Sequence, residues 1–154
     1  MRLSTKARYA LRAMVDLAMQ GGSRPTPREE IAVRQGISPL YLAQLFSKLT
    51  RAGLVESVKG PGGGYVLARE ADTIRAGDVI RAVEEPLAPV FCVNAAPEEG
   101  CARSPFCATH RLWKQLSQRI EEVLNDVTLA DLCMQACALA EGIHDSTEQE
   151  ASPS

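Results

Sequence analysis

The fold is decided by residues 35–67, which read QGISPLYLAQLFSKLTRAGLVESVKGPGGGYVL. Gly36 supplies a sharp turn, and the pair Ser38-Pro39 has the side-chain cap and the fixed φ angle that start a helix, which we expect to run to about Ala52. The apolar side chains of this helix fall on one face, at Leu42, Leu45, Phe46 and Leu49. That face would pack on a core and leave the polar side chains available for binding.

A β-hairpin follows this helix. Residues 54–58 have the composition of a strand, residues 59–64 form a glycine-rich connection, and residues 65–67 read as a returning strand. Before the helix, the capping box Thr26-Pro27-Arg28-Glu29 predicts a short helix that ends at Gln35. An ordinary helical hairpin would account for the two helices alone, whereas the added β-hairpin indicates a winged helix-turn-helix. We therefore expect a mainly α fold with a small β-wing.

The polar side chains of the second helix and of the wing are the candidate DNA contacts. Tyr41, Gln44 and Ser47 could reach base edges in the major groove, whereas basic side chains such as Lys59 would contact phosphates. Glycine N–H groups at the wing tip could also hold a phosphate. The glycine run lacks the Lys-Ser/Thr ending of a nucleotide-binding P-loop, so we exclude an NTPase. The predicted DNA-binding residues are Ser38, Tyr41, Gln44, Ser47, Lys48, Arg51, Lys59, Gly60 and Gly62.

The charge of the chain is divided unevenly. Residues 1–70 contain 11 Lys or Arg and 5 Asp or Glu, a balance of +6, whereas residues 71–154 contain 6 and 14, a balance of −8. A basic first half favours a polyanionic partner such as double-stranded DNA, with a solvated basic surface as the alternative. No apolar run reaches the length of a membrane span, and the first residues lack a signal-peptide pattern. We expect a cytoplasmic protein without a membrane partner.

Two more helical patterns complete the predicted DNA-binding domain, residues 1–85. Residues 3–19 carry apolar side chains at the three-and-four spacing of an amphipathic helix. After the wing, Asp72 or Thr73 could cap a further helix, which Pro86 would stop. The helix after the wing would pack between the two halves of the chain.

Residues 86–110 lack an apolar period and contain three of the five cysteines and one of the two histidines. In a reducing compartment, clustered cysteines are more often metal ligands or redox thiols than disulfides. The candidate metal ligands are Cys92, Cys101, Cys107 and His110, a set that suits an iron-sulfur cluster or a structural zinc ion. Zinc sites more often contain a close Cys-x2-4-Cys pair, which this segment lacks, so the spacing modestly favours the cluster. We expect a cluster-binding loop that its metal orders.

A long helix is expected after this loop, within residues 105–142. Ser104-Pro105 would start it just before Cys107 and would place Cys107 and His110 on one face of its first turn. An apolar stripe follows. It could complete an intramolecular core, but we interpret it as a homodimer interface, because helix-turn-helix proteins usually read two half-sites. The predicted interface residues are Leu112, Leu116, Ile120, Val123, Leu124 and Val127.

The C-terminal part of the chain contains one more helix and a polar tail. Thr128-Leu129-Ala130-Asp131 is a capping box that would start a helix ending at Gly142. Cys133 and Cys137 share one face of this helix, and we interpret both as packing residues, since buried cysteine behaves as a small apolar side chain. Residues 143–154 are predicted to form a disordered tail.

Several short motifs together resemble the IscR-like iron-sulfur cluster regulators, a group of winged-helix transcription factors that includes NsrR-type relatives. The motifs are Met1-Arg2-Leu3-Ser4, Gln35-Gly36-Ile37-Ser38 with Tyr41-Leu42, Gly60-Pro61-Gly62-Gly63-Gly64-Tyr65, and Cys107-Ala108-Thr109-His110-Arg111-Leu112-Trp113. The resemblance covers residues 1 to about 132. It implies a homodimeric transcription regulator, in some members a sensor of cluster supply that controls iron-sulfur assembly genes, and in relatives a sensor of nitric oxide or redox state.

The resemblance also implies a ligand set. Cys92, Cys101, Cys107 and His110 match the three-Cys, one-His ligands of a 2Fe-2S cluster, for which the iron-sulfur assembly machinery would be the donor. Two features depart from the family pattern. Eight residues separate Cys92 from Cys101, three more than usual, which concerns the geometry of the ligand loop. Ala43 stands where the namesake of the group has an acidic residue, which concerns the choice of DNA site.

Two alternatives remain open at this point. A zinc-stabilised repressor, or a winged-helix repressor that senses redox state or nitric oxide, would use the same fold and the same thiols. A thiol enzyme or cluster carrier, with Cys107 as the nucleophile and His110 as the base, would leave the wing and the charge division unexplained. We therefore expect a regulator and not an enzyme.

Overall fold

The architecture is mainly helical with a two-stranded antiparallel sheet, in a computed structural model that describes residues 3–21, 24–83, 88–94 and 100–150. The α-helices are α1 (Thr5–Gln20), α2 (Arg28–Gln35), α3 (Pro39–Arg51), α4 (Ala76–Val83), α5 (Phe91–Asn94), α6 (Ala108–Asp126) and α7 (Leu129–Glu150). The strands are β1 (Val55–Val58) and β2 (Gly64–Leu67), and 3-10 turns occupy Ala71–Thr73 and Ser104–Phe106. The predicted mainly α fold with a small β-wing is confirmed.

The hydrophobic core lies mainly among the four helices α1 to α4, and Leu129 of α7 also packs into it. The apolar face predicted for α3 is buried, with Leu42, Phe46 and Leu49 at 0% exposure. Each such side chain contributes roughly 1.5–3 kcal/mol when it leaves water. Phe46 also packs edge-on against Tyr65 at 4.5 Å between ring centres, and this contact attaches the wing to α3.

The start of α3 follows the predicted capping pattern. Ser38 is the N-cap, and its side-chain oxygen accepts a hydrogen bond from the backbone N–H of Tyr41 at 3.1 Å. Gly36 ends α2 with a φ angle of 66°, in the left-handed region that glycine adopts without strain. The turn between α2 and α3 is thereby set by two local signals.

The capping box predicted at Thr26 is wrong. Thr26 is buried and extended, and its backbone N–H and C=O each make a 2.9 Å hydrogen bond with the backbone of Tyr65. Pro27 takes the N-cap position of α2 and makes no side-chain cap bond. Gly64 permits this pairing, because a Cβ atom there would overlap the Thr26 carbonyl. Long-range pairing with β2 therefore outweighs the local preference for a cap.

The helix after the wing starts later than predicted. Residues 71–73 form a 3-10 turn, Ile74 is extended, and α4 begins at Ala76. Neither Asp72 nor Thr73 caps it; the Asp78 side chain instead accepts a hydrogen bond from the N–H of Arg75 at 2.9 Å. The predicted stop at Pro86 lies outside the described residues.

The extended residues before α4 pair with the link between α6 and α7. The N–H of Ala76 donates to the carbonyl of Val127 at 2.9 Å, and the N–H of Leu129 donates to the carbonyl of Ile74 at 2.8 Å. Ile74 and Leu129 are both buried in the core. We call this pairing of residues 74–76 with residues 127–129 the junction, because it joins the winged helix to the C-terminal helices.

The last helix begins as predicted and ends later. Thr128 and Asp131 form the expected reciprocal cap, with hydrogen bonds of 2.9 Å and 3.1 Å between side chain and backbone. The helix continues past Gly142 to Glu150, where a disordered tail was predicted, and Gly142 does not take a positive φ angle. Residues 151–154 lie outside the described part. None of the described helices is long and apolar enough to cross a membrane.

Candidate DNA-reading face and metal-binding segment

The outer side of α3 is polar and open. Gln44, Ser47 and Arg51 are exposed and follow one another at spacings of three and four residues, which places them on one side of the helix. We call these three residues the reading face. Because the opposite side of α3 is buried, the reading face is held rigidly, as direct contact with base edges requires.

Two predicted DNA contacts on the flank of α3 have partners within the protein. Tyr41 is half-buried and packs edge-on against Tyr9 of α1 at 6.1 Å between ring centres. The Lys48 ammonium donates a hydrogen bond to the carbonyl of Val83, at the end of α4, at 3.3 Å. Ser38 is exposed but its side-chain oxygen serves as the cap of α3. These residues support the helix as well as bordering the reading face.

The wing tip has the shape of a tight turn. Gly63 donates its N–H to the carbonyl of Gly60 at 2.9 Å, and Gly60 and Gly62 take positive φ angles of 93° and 74°. Residues with side chains rarely adopt such angles, so glycine is required here. Lys59, Gly60 and Gly62 are all exposed at this turn, as phosphate contacts would need to be.

An ion pair between the buried Asp16 and the exposed Arg34, which was not predicted from the sequence, braces α1 against α2. Asp16 is 8% exposed, and its carboxylate accepts hydrogen bonds from Arg34 at 2.8–3.0 Å and from Gln35 at 2.8 Å. The hydrogen bonds that the Arg34 guanidinium donates to Asp16 raise the pKa of that guanidinium. Arg12 continues the network through a 3.1 Å hydrogen bond to Gln35. The sequence signal was an acidic residue on the apolar side of α1.

The predicted ligand segment is partly helical. Cys92 lies on the short helix α5, within a region expected to be a loop. Ser104-Pro105 starts a 3-10 turn and not the long helix, because Cys107 is extended and becomes the N-cap of α6. Cys107 therefore precedes the first turn of α6, which begins at Ala108 and contains His110.

Two of the four predicted ligands are in contact. The Nδ1 atom of His110 lies 3.4 Å from the Sγ atom of Cys92, which is 18 residues away in the chain. Cys107 points its Sγ atom to the hydroxyl of Thr109 at 3.0 Å. This hydrogen bond, together with the N–H of His110, lowers the pKa of the Cys107 thiol. Cys101 is exposed, and its carbonyl accepts the N–H of Ser104.

The donor chemistry of this segment fits a soft metal centre. Three thiols and one imidazole suit either an iron-sulfur cluster or zinc, and thiolate is the form that binds. Within the described residues, however, no three potential ligands lie close enough to share one ion. The geometry thus brings together the pair Cys92 and His110, with Cys107 at the start of the same helix as His110.

The apolar stripe predicted on α6 is divided between two surroundings. Leu124 packs against the core, whereas Leu112 and Val123 are 54% and 63% exposed. Leu116, Ile120 and Val127 are half-buried. Ser117 is the buried residue of this helix, and its apolar side is open in a single chain at Leu112 and Val123.

The two cysteines of α7 differ in their surroundings. Cys133 is half-buried, its Sγ atom lies 3.9 Å from the carbonyl of Val15, and burial raises the pKa of its thiol. The interpretation as a packing residue fits Cys133. It is wrong for Cys137, which is exposed.

Comparison with known proteins agrees with the winged-helix architecture. The model of the Rrf2 family, described as "Iron-dependent Transcriptional regulator", matches residues 3–135. The HTH-type transcriptional regulator IscR of Sodalis glossinidius is 52% identical over 132 residues, which are 86% of this chain and 78% of the relative. The protein of the same name from Yersinia enterocolitica is 49% identical and is covered to 79%.

Two solved structures of transcriptional or metabolic regulators are also similar to this chain. CymR, the global cysteine regulator of B. subtilis, has a TM-score of 0.73 at 40% identity, over 88% of this chain and 98% of that one. IscR of T. potens has a TM-score of 0.71 at 41% identity, over 88% of both chains. The resemblance found in the sequence is confirmed, and so is the expectation of a DNA-binding transcriptional regulator and not an enzyme. The chain belongs to the Rrf2 family of iron-dependent transcriptional regulators.

Proposed function

We propose that this regulator is a homodimer that senses iron-sulfur cluster status through a 2Fe-2S cluster, and that it controls iron-sulfur assembly or stress genes. Cys92, Cys101, Cys107 and His110 would hold the cluster, which the iron-sulfur assembly machinery would supply. The observation that carries the proposal is the 3.4 Å approach of His110 Nδ1 to Cys92 Sγ. Two distant residues of the ligand types that such clusters take have come together at the start of α6.

Each ligand residue has a distinct part in this proposal. Cys92 on α5 and His110 in the first turn of α6 would form the fixed half of the site, since both lie on helices. Cys107 and Cys101 would have to turn towards that pair. The hydrogen bond from Thr109 to Cys107 favours its thiolate, the form that binds metal. When bound, the cluster would supply a centre sensitive to oxidants and to iron supply.

The junction offers a route from this site to the DNA-reading face. Cys107 and His110 lie at the N-terminal end of α6, and the C-terminal end of α6 leads into the junction, which holds residues 74–76 by two backbone hydrogen bonds. Those residues lead into α4, whose last carbonyl, that of Val83, accepts a hydrogen bond from the Lys48 ammonium of α3. A shift of α6 on cluster gain or loss would therefore reach the recognition helix through consecutive contacts.

Homodimer formation is supported by the open apolar side of α6. A helix with Leu112 and Val123 more than half exposed leaves apolar surface in water, which a second copy could cover. A two-fold dimer would also present two reading faces to a palindromic operator. The same helix would then carry both the ligands and the contact between subunits.

Anaerobic purification tests the cluster directly. We expect visible absorption, with about two irons and two sulfides for each chain. Cys92→Ser should abolish the absorption, whereas Cys137→Ser, which removes an exposed cysteine outside the site, should retain it. Colourless protein with one zinc ion for each chain would overturn the cluster proposal and leave the DNA-binding role intact.

A further inference from the structure

A basic concavity lies beside the reading face. It has a volume of about 770 Å³ and is formed where the start of α1, the end of α3 and the end of α4 meet. The side chains that matter for its chemistry are Ser4, Lys6, Lys48 and Arg51. Three of these four carry a positive charge, and no described lining residue is acidic.

The positive groups are held in place by the fold. Ser4 caps α1 by accepting the N–H of Ala7 at 3.2 Å, which places Lys6 in the first turn of that helix. Lys48 is fixed at the opposite wall by its 3.3 Å hydrogen bond to the Val83 carbonyl. Lys6 and Arg51 are exposed, so their charges face solvent at the mouth of the concavity. Two helices, α1 and α3, thus direct cations to one place, and the Val83 carbonyl of α4 holds one of them.

The concavity is continuous with the reading face through Arg51. This residue lies one turn beyond Ser47 on the same side of α3 and also lines the concavity. When a recognition helix enters the major groove, the phosphates that border the groove lie beside its flanks and ends. A phosphate at the end of α3 would therefore face the concavity.

We propose that this concavity binds a backbone phosphate of the DNA, with Lys6 and Arg51 as its charged contacts and Lys48 as a supporting charge. The inference rests on DNA binding by this family member and adds the start of α1 to the interface. The concavity is open, and no described aromatic residue lines it. A small-molecule effector site would instead be largely enclosed and apolar, with few polar groups.

The salt dependence of DNA binding tests this assignment. Lys6→Ala should weaken binding by a similar factor on the operator and on an unrelated duplex, and should reduce the slope of log affinity against log salt by about one. The double variant Lys6→Ala/Arg51→Ala should reduce the slope by about two. Lys114→Ala, an exposed cation on α6, is the matched control and should leave the slope unchanged.

Other variants and a free anion separate the possible outcomes. Gln44→Ala should lower affinity for the operator and leave the unrelated duplex unaffected, because a base contact carries sequence preference. An unchanged slope for Lys6→Ala would overturn the proposal, even if inorganic phosphate bound saturably at Lys6. Failure of the wild-type protein to prefer any operator would instead contradict the regulator function itself. Equal thermal unfolding of Lys6→Ala and the wild type would exclude misfolding.

Discussion

The winged helix and the C-terminal helices differ in how completely a single chain buries their apolar side chains. In the first half, side chains such as Met14, Ile31 and Phe46 are completely buried. In the second half, α6 is 19 residues long and buries Ser117, while Leu112 and Val123 remain more than half exposed. The exposed apolar side chains of α6 form the surface that the proposed second copy would cover.

This difference separates a rigid reader from a segment that can respond. The reading face is supported by a closed core and by the Asp16 ion pair, so the chain itself holds the arrangement of its side chains, and in our proposal the cluster changes only the position of α3 relative to α6. In our proposal, the ligand segment and α6 depend on a second copy and on a cluster. Regulation requires a part with two states of similar free energy, and such parts have few buried apolar contacts.

The largest expected contrast comes from the same substitution in each half. Phe46→Ala removes a ring that is 0% exposed and should lower the free energy of unfolding by roughly 3–5 kcal/mol. Phe106→Ala removes a ring that is 94% exposed and should change it by less than about 0.5 kcal/mol. Urea unfolding followed by circular dichroism, at one protein concentration, measures both. Equal losses would show that the two halves are equally packed.

A charge on the open side of α6 should act on assembly more than on folding. We expect Val123→Glu to raise the dimer dissociation constant roughly a hundredfold, equivalent to about 2.7 kcal/mol, because a buried carboxylate would have no partner. Lys114→Glu introduces the same group on the opposite side of the helix and should leave it within about threefold. Analytical ultracentrifugation provides the measurement. A Val123→Glu protein that stays dimeric would place the interface elsewhere.

An ion pair with a buried carboxylate should contribute more to stability than an exposed ion pair. Asp16→Ala leaves Arg34 and Gln35 without their buried acceptor and should cost about 1–3 kcal/mol of stability. Glu122→Ala breaks the exposed pair with Arg119 and should cost less than about 1 kcal/mol. Chemical denaturation compares the two variants. Similar losses would mean that burial of Asp16 contributes nothing to the brace.

The smallest effects should differ in sign. A Cβ atom at Gly77 would overlap the side-chain ends of Asn125 and Arg81, which are hydrogen-bonded to each other, and loss of that bond should slightly outweigh the gain in helix propensity, so Gly77→Ala should destabilise by less than about 1 kcal/mol. At Gly142 an added Cβ meets no atom within 4 Å, and Gly142→Ala should stabilise α7 by roughly 0.5 kcal/mol. Thermal unfolding should show the opposite shifts, whereas two equal increases would mean that α4 and α6 are not in close contact.

Local signals in the sequence were sufficient for some elements. The cap at Ser38, the glycine turn at Gly36 and the reciprocal cap of Thr128 and Asp131 each depend on residues within four positions of one another. Their backbone consequences can therefore be predicted without knowledge of the fold. The apolar face of α3 was equally predictable, because helical spacing alone determines it.

The remaining features depend on residues that are far apart in the chain. Thr26 has the sequence of a cap but pairs with Tyr65, and Asp16 is buried only because Arg34 of another helix reaches it. α6 begins at Ala108, later than predicted, because residues 104–106 form a 3-10 turn before it. For the ligand set, sequence spacing identified suitable residue types, but the pairing of Cys92 with His110 required the packing of α5 on α6.

The most direct test of the account is the operator affinity of the same anaerobic preparation with its cluster loaded and after the cluster is removed, with iron and sulfide measured on each sample. We predict that the two affinities differ by at least about fivefold, the lower range of measured couplings between sites. Cys92→Ser should behave as the cluster-free protein under both conditions. Equal affinity in the loaded and stripped states would contradict the claim that the C-terminal half controls the reader.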